Sequence, residues 1–144
     1  MIFSSCILAS DHAGFFLREH LARWCCEWEL PYQEVGALSE EESFDYPLCI
    51  DPIKTALERH DSFMGVLLCG SGIGLCMAAN RHPSLRAALC HDVTSAFLAR
   101  SHNNANVLVL GARLIGTQTA LACFDVFLKT PFEGGRHQRR LDLF

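Results

Sequence analysis

Residues 65–80, GVLLCGSGIGLCMAAN, give the clearest indication of the fold class of this chain. The first five residues are apolar without alternation, which is typical of a strand buried on both faces of a parallel sheet. Three closely spaced glycines follow and lead into a helical pattern, so the segment predicts a strand, a tight turn and a helix. A thiol, Cys69, stands where the strand ends.

Strands and helices alternate on both sides of this segment. Further strands are predicted at 6–10, 32–37, 86–90 and 106–111, and helices at 14–28, 48–60, 72–82, 92–102 and 117–130. Asp92 and Thr117 are the expected N-caps of the last two helices. This order predicts one doubly wound α/β domain, residues 1–144, with a five-stranded parallel sheet and a basic, partly helical C-terminal extension.

Composition excludes several classes of protein. The chain has 144 residues, of which 50% are hydrophobic, and a net charge of −4, so neither nucleic acid nor a membrane surface is an expected partner. No apolar run approaches the roughly 18 residues of a membrane span, and the N-terminus lacks the features of a signal peptide. Eight cysteines occur without a C-x-x-C pair, which predicts free thiols in a cytoplasmic protein rather than a zinc ribbon.

Polar side chains follow the predicted strands at the point where each strand ends. Asp11 and His12 follow the first strand, Cys69 follows the third and Arg113 follows the fifth. Because ligands bind outside the carboxyl ends of strands in open α/β sheets, we expect these residues to share one edge.

The glycine loop and Cys69 each allow two interpretations. Residues 70–74 either cradle an anion with backbone N–H groups or form only a tight turn. The loop is not a dinucleotide fingerprint, because Leu75 stands where a glycine is required. Cys69 is either a small buried hydrophobe or a thiolate, favoured by the adjacent helix N-terminus, that acts as a nucleophile or a base.

Two further segments also allow two interpretations. His102 and Asn103 come just past the end of a predicted helix. They either form the C-cap of that helix, or His102 is a general acid on a loop with Asn103 beside it. Arg136 and Arg140, four residues apart, form either a solvated basic surface or a phosphate clamp.

A family resemblance rests on five segments: SDHAGFFLREHL, DYP, CGSGIGLCMAAN, RAALCHDVTSAFLARSHNNANVLVLGARLIG and FEGGRHQRR. Together they resemble the sugar-phosphate isomerase family that contains ribose-5-phosphate isomerase B and the galactose-6-phosphate isomerase subunits. The resemblance covers nearly the whole chain in the same order. It implies a Rossmann-like three-layer sandwich. It also implies a reaction of the pentose phosphate pathway, the interconversion of D-ribose 5-phosphate and D-ribulose 5-phosphate through an enediolate, without metal or cofactor.

The resemblance also implies a role for individual residues. Cys69 would be the base, His102 the acid that opens the sugar ring, and Ser71 a proton relay. The anion hole would be formed by the loop residues Gly70, Gly72, Ile73 and Gly74. Sugar hydroxyls would contact Asp11, Asn103 and Tyr46, and the phosphate would contact His12, Arg113, Arg136 and Arg140.

The family works as dimers or tetramers whose active sites take residues from both subunits. We therefore expect a homodimer or homotetramer, and we expect His12, Arg136 and Arg140 to come from the partner of the subunit that supplies Cys69. One branch of the family uses a glutamate at the position of Leu75, so Cys69 has no competing base here.

Three other functions stay open at this point. An isomerase of allose 6-phosphate or galactose 6-phosphate differs only in the depth of its pocket. A phosphosugar-binding module without catalysis needs neither Cys69 nor His102, so the presence of both argues against it. A nucleotide-binding regulatory domain would need a phosphate fingerprint, which the sequence lacks.

Overall fold

The computed structural model describes residues 1–144 and contains one five-stranded sheet in which all strands are parallel. The strands are β1 (Ser5–Ser10), β2 (Tyr32–Gly36), β3 (Phe63–Cys69), β4 (Ala87–Leu89) and β5 (Val107–Gly111). Their order in the sheet is β2-β1-β3-β5-β4. The predicted α/β class and the five strands are confirmed.

Helices cover both faces of the sheet and make the three layers. They are α1 (Phe15–Glu27), α2 (Ile50–Arg59), α3 (Ile73–Ala79), α4 (Val93–Ser101), α5 (Thr117–Lys129) and α6 (Arg136–Leu141), with a single 3₁₀ turn (Tyr46–Cys49) before α2. Leu21 and Phe124 are fully buried between the sheet and the layer of α1, α4 and α5. Ile53 and Leu75 are fully buried on the opposite face, beneath α2 and α3. Each of these side chains contributes about 1.5–3 kcal/mol by burial.

Strand β3 lies at the centre of the sheet and is buried from Met64 to Cys69 on both faces, as its apolar run predicts. The chain runs from β1 to β2 on one side and returns to β3 on the other, so the strand order reverses between β1 and β3. The crevice at such a reversal is the usual ligand site of an open α/β sheet. Ser10 pairs with Leu68 at the carboxyl ends of β1 and β3, so the residues that follow them, Asp11 and Cys69, lie side by side at this crevice.

Two of the predicted helix ends are corrected by the structure. Helix α3 stops at Ala79 instead of residue 82, because the Asn80 side chain turns to the backbone of β4. Thr117 does not cap α5; Gly116 holds the N-cap position without a side-chain hydrogen bond, and Thr117 is the first helical residue. Asp92 caps α4 as predicted, its Oδ1 accepting the Ser95 N–H at 2.8 Å.

None of the six α-helices combines the length and the apolar character that a bilayer crossing requires.

Candidate active site

The Cys69 thiol lies at the carboxyl end of β3 with 5% of the residue exposed. Its Sγ accepts a hydrogen bond of 3.1 Å from the backbone N–H of Gly72. This donor is available because Gly72 has a φ of +78°, which turns the chain sharply before α3 begins. The thiolate is the form of a cysteine side chain that acts as a base or a nucleophile.

The loop after Cys69 also presents unused backbone donors. The N–H groups of Gly70 and Ser71 donate no hydrogen bond within the chain. The N–H of Ile73 donates to Ser71 Oγ at 3.3 Å. Two consecutive free N–H groups beside a thiol form a suitable site for a developing oxyanion.

One aromatic side chain, Tyr46, and one basic side chain, Arg113, border this loop. A Cβ atom at Gly74 would lie 2.5 Å from the ring of Tyr46, so the absence of a side chain there lets the tyrosine pack on the loop. The guanidinium of Arg113 lies over Gly70, where an added Cβ atom would be 3.4 Å from Nη1. The backbone N–H of Arg113 also donates to the Gly70 carbonyl at 3.0 Å.

Asp11 and His12 lie beside Cys69 at the end of β1. The Asp11 N–H donates to the Leu68 carbonyl at 3.2 Å, and one carboxylate oxygen of Asp11 accepts the Gly14 N–H at 3.0 Å. His12 Nδ1 accepts the Phe44 N–H at 3.2 Å. This acceptor role leaves the ring proton of a neutral His12 on Nε2, where it is free to donate to a ligand. Asp11, His12, Tyr46, Arg113 and the glycine loop therefore form one group around Cys69.

His102 and Asn103 lie at the opposite edge of the sheet. Helix α4 begins at the carboxyl edge and runs back across the face of the sheet, so its end is near the start of β5. The Asn106 carbonyl accepts the Gly65 N–H, and Gly65 precedes Cys69 by four strand residues, or roughly 13 Å. Within one chain, therefore, His102 and Cys69 do not meet.

Arg136 and Arg140 belong with His102 in this second group. The rings of His102 and His137 are stacked, with centroids 4.1 Å apart, and the Nε of Arg136 donates to His137 Nε2 at 3.4 Å. Asn103 is exposed and lines a cavity of about 720 Å³ that α6 also borders. The left-handed residue that ends this helix region is Asn104, with a φ of +46°. The candidate residues thus fall into two halves, called here the Cys69 half and the His102 half.

The position of His12 differs from the expectation that the partner of the Cys69 subunit supplies it. His12 follows β1, the strand next to β3, so it belongs to the Cys69 half of its own chain. Arg136 and Arg140 remain in the other half. The place of His12 directly after β1 predicted the edge that it occupies, whereas the resemblance implied the other half of the site.

Two residues near the Cys69 half were missed by the sequence analysis. Arg18 is 5% exposed and donates to Glu34, to Ser10 Oγ and to the Val35 carbonyl, each at 3.0 Å. Its signal was available, since position 18 lies on the apolar face of α1. Burial raises the pKa of Cys49 to about 12, with further raising by the charges of Asp11 and Cys69 and a lowering by Arg18. These neighbours place Cys49 close to the site.

Glu133 and His137 were also missed, in the His102 half. Glu133 Oε1 lies 4.0 Å from His102 Nε2, and Glu133 Oε2 lies 3.5 Å from His137 Nε2. Burial lowers the pKa of His137, and the charges of His102, Arg136 and Arg140 lower it further, while Glu133 raises it.

Comparisons with known proteins agree with this arrangement. The family model described as Ribose/Galactose Isomerase matches residues 6–144. The chain is 36% identical to ribose-5-phosphate isomerase B of Escherichia coli K12 over 132 residues, which are 92% of this chain and 88% of that protein.

Solved structures are equally similar. The ribose 5-phosphate isomerase of Thermotoga maritima is 44% identical, with a TM-score of 0.93 covering 97% of this chain and 96% of that one. Ribose-5-phosphate isomerase B of Mycoplasma genitalium, solved with bound ribulose 5-phosphate, is 38% identical, with a TM-score of 0.88 covering 96% of this chain and 92% of that one. With a family match over nearly the whole length and relatives well above 30% identity, this chain belongs to the ribose/galactose isomerase family.

Proposed function

We propose that this chain is an aldose-ketose isomerase that interconverts D-ribose 5-phosphate and D-ribulose 5-phosphate. The observation that carries the proposal is the Cys69 thiol, hydrogen-bonded by the Gly72 N–H and adjacent to the free N–H groups of Gly70 and Ser71. A base beside an oxyanion hole is what a proton shift next to a carbonyl requires. The similarity to ribose-5-phosphate isomerases B supports the choice of substrate.

The proposed chemistry is a set of proton transfers. His102 donates a proton to the ring oxygen as the bond from that oxygen to C1 breaks. The C1 hydroxyl gives up its proton to solvent, which leaves the open-chain aldehyde, and His102 is reprotonated from solvent. The Cys69 thiolate then takes the proton from C2 of the open-chain aldose and returns it to C1, while the Ser71 hydroxyl passes the hydroxyl proton from O2 to O1. The intervening enediolate oxygen is stabilised by the loop N–H groups, each worth about 3 kcal/mol in such sites. None of these steps needs a redox cofactor.

The remaining candidates bind substrate in this proposal. Asp11, Asn103 and Tyr46 contact the sugar hydroxyls. The phosphate is bound by His12 and Arg113 from the Cys69 half together with Arg136 and Arg140 from the His102 half. Three guanidinium groups and one imidazole N–H donor are suited to a dianionic phosphate.

A second copy of the chain completes each site, because the two halves lie at opposite edges of the sheet in one protomer. We therefore propose a homodimer, alone or within a homotetramer, in which the His102 half of one protomer covers the Cys69 half of the other. Exposed apolar pairs support an interface beside the edge strand β4: Ile73 and Met77 on α3, and Val93 and Phe97 on α4. Apolar pairs of this kind are a common feature of subunit interfaces.

A cytoplasmic location is also kept as a proposal. All eight cysteines are free thiols, as is usual in a reducing compartment.

The first experiment compares the wild type with Cys69→Ala and with the matched control Cys76→Ala, which removes a half-buried thiol from α3. Each protein is assayed with ribose 5-phosphate and with allose 6-phosphate in EDTA. We expect Cys69→Ala to lose at least about a hundredfold in kcat while its circular dichroism is unchanged, and Cys76→Ala to stay active.

Other results would change the assignment. Activity on allose 6-phosphate alone would keep the family and replace the substrate. Binding of both sugars without turnover would indicate a phosphosugar-binding module. Full activity of Cys69→Ala would mean that another group is the base.

The second experiment tests whether the sites are shared. Cys69→Ala and His102→Ala proteins are each purified, then unfolded and refolded together. Random pairing in dimers gives half heterodimers with one intact site, so the mixture should regain about a quarter of wild-type activity. A mixture as inactive as its components would show that Cys69 and His102 act within one chain.

A further inference from the structure

Three side chains with metal-binding atoms converge in the His102 half. One ring nitrogen of His102, one of His137 and a carboxylate oxygen of Glu133 all lie within 4.8 Å of one another. The two imidazole rings are stacked nearly parallel, at 12°, with their centroids 4.1 Å apart, and both lie near the same carboxylate. Because nitrogen lone pairs lie in the ring planes, the half-exposed His102 ring must turn out of the stack before both rings can point at one ion. No other group of three histidine, cysteine or acidic side chains in the chain meets this geometry.

The backbone around the cluster is held by hydrogen bonds on all three sides. The His102 N–H donates to the Leu98 carbonyl at 2.9 Å, the Glu133 N–H to the Ser101 carbonyl at 3.0 Å, and the His137 N–H to the Gly134 carbonyl at 3.0 Å. His137 is 5% exposed, so its ring has little freedom. The Glu133 side chain is 51% exposed, so its carboxylate can move toward a ligand that the two rings position.

Two imidazoles and one carboxylate are a donor set that Zn²⁺ accepts, with a fourth position left open to water or substrate. Zinc bonds of about 2.1 Å place tetrahedral ligand atoms about 3.4 Å apart, so the longest separation in the cluster must shorten by at most about 1.4 Å. His137 Nε2 already accepts a hydrogen bond from Arg136 Nε and therefore carries a lone pair, which is what a metal needs.

The surrounding charges select the kind of cation. The positive charge of Arg136 lies next to the cluster and repels a bound cation. Because Arg136 is exposed, its guanidinium can move away from the ion. Mg²⁺ and Ca²⁺ prefer oxygen ligands and gain little from imidazole. Zn²⁺, Cu²⁺, Ni²⁺ and Co²⁺ bind imidazole strongly enough to compete with the nearby arginine.

We propose that His102, Glu133 and His137 form a reversible binding site for a divalent transition metal ion, with Zn²⁺ as the physiological candidate. A metal on His102 Nε2 occupies the nitrogen lone pair and fixes the ring away from its role as an acid. The bound metal therefore inhibits the isomerase. The inhibition rests on the proposed function, whereas the binding does not.

Binding is tested by titrating metal-free protein with Co²⁺, whose visible absorption reports its ligands. We expect bands of a nitrogen- and oxygen-ligated ion without a sulfur-to-cobalt charge-transfer band. His137→Ala and the exposed-site variant Glu133→Gln should each bind Co²⁺ at least about tenfold more weakly, and His82→Ala, which removes a histidine outside the cluster, should bind as the wild type does. A sulfur band, or unchanged affinity in both cluster variants, would overturn the site.

Activity measurements separate the inhibition from the function. Zn²⁺ should inhibit the wild type reversibly, with recovery on addition of EDTA, and Glu133→Gln should need about tenfold more Zn²⁺ for the same fractional loss of its own metal-free rate. Equal sensitivity of the two proteins would overturn the inhibitory role, because the metal would then act elsewhere, such as on Cys69. Cluster-dependent Co²⁺ binding by a metal-free protein that is inert on ribose 5-phosphate would keep the site and reject the proposed function.

Discussion

Gly72 determines the local geometry of the Cys69 half through one backbone angle. Its φ of +78° lies in the left-handed region, which side chains other than glycine rarely adopt. A Cβ there would also lie 2.5 Å from Leu89 Cδ1. The same residue donates its N–H to Cys69 Sγ, so the conformation of one glycine sets both the turn and the hydrogen bond that holds the Cys69 side chain.

Gly72→Ala should lower the free energy of unfolding by about 1–2 kcal/mol, because alanine is strained at this φ. The matched control is Gly70→Ala, where φ is not in the left-handed region and the nearest neighbour of a Cβ, Arg113 Nη1, is 3.4 Å away. Urea denaturation measures both. An equal effect of the two substitutions would contradict the assignment of strain to position 72.

At the scale of elements, Arg18 ties helix α1 to the strands on its inner side. Its guanidinium reaches the side chain of Ser10 in β1 and both Glu34 and the Val35 carbonyl in β2. Its planar group also lies 5.1 Å from the centre of the Phe15 ring. Helix α1 is thus positioned next to the Asp11 turn by a buried cation as well as by apolar contacts.

Arg18→Lys should destabilise the protein by about 1–3 kcal/mol although the charge is kept, because lysine cannot satisfy three acceptors in the fixed geometry of a guanidinium. Glu34→Gln, which changes the partially exposed partner and keeps an acceptor, should have a smaller effect. Thermal unfolding of the two variants checks this order, and the reverse order would mean that the ion pair alone matters.

Strand β4 pairs with β5 on its inner side, and on its outer side a side chain takes the place of a further strand. Asn80 Nδ2 donates to the Ala87 carbonyl at 2.9 Å, and Asn80 Oδ1 accepts the Ala87 N–H at 2.9 Å. The amide therefore does what a residue of a neighbouring strand would do. It pairs the backbone N–H and C=O groups of Ala87, which would otherwise be free to pair with another chain.

Asn80→Asp should lower the free energy of unfolding by about 1–3 kcal/mol, because a carboxylate cannot donate to the Ala87 carbonyl and repels it. Gln118→Glu makes the same amide-to-carboxylate change on the exposed surface of α5 and should be nearly neutral. Hydrogen exchange of the β4 amides gives a second readout. If Asn80→Asp leaves these amides as protected as in the wild type, the amide is not what holds the edge.

At the scale of the whole molecule, buried thiols make the protein sensitive to alkaline pH. Burial raises the pKa of Cys90 from its ordinary value of 9.0 to about 11, and that of Cys49 to about 12. Burial and the neighbouring Cys25 thiol also raise the pKa of Cys6, whose hydrogen bond to Cys25 is the largest cause. In the unfolded chain these thiols lose their protons near pH 9.

Above pH 9 the unfolded state therefore binds fewer protons than the folded state, and stability must fall as the pH rises. Each such thiol contributes up to about 1.4 kcal/mol per pH unit until its folded pKa is reached. The free energy of unfolding, measured in urea between pH 8 and 10, should fall less steeply for Cys90→Ala than for the wild type. Equal slopes for Cys90→Ala and the wild type would reject this account.

The proposed homodimer has its own test. Phe97→Asp places a charge on the exposed apolar surface beside β4 and should shift sedimentation toward the monomer, with loss of isomerase activity because each site then lacks its second half. Leu38→Asp, at a position 86% exposed in the loop after β2, should leave both properties unchanged. A fully active Phe97→Asp monomer would contradict the shared site.

Local sequence patterns were sufficient to predict the order of the strands and helices and the location of the residues that form the Cys69 half. The apolar run of β3, the glycines after it and the polar residues after β1 and β5 are adjacent in sequence to the strands that position them. Parallel strands bring those residues to one edge without further information. The role of the individual residues stays a prediction until the variants are measured.

Contacts between distant parts of the chain decided the rest. Hydrophobic periodicity and turn residues act over a few positions, so the residues alone were enough to predict a five-stranded α/β domain with a thiol and a glycine turn at the centre of the sheet. Only the tertiary structure separated His102 from Cys69 and showed Arg18 and Glu133 as partners of residues far along the chain. The reason is that the packing direction of α4 and the meeting of α4 with α6 depend on burial of whole faces, which no short segment encodes.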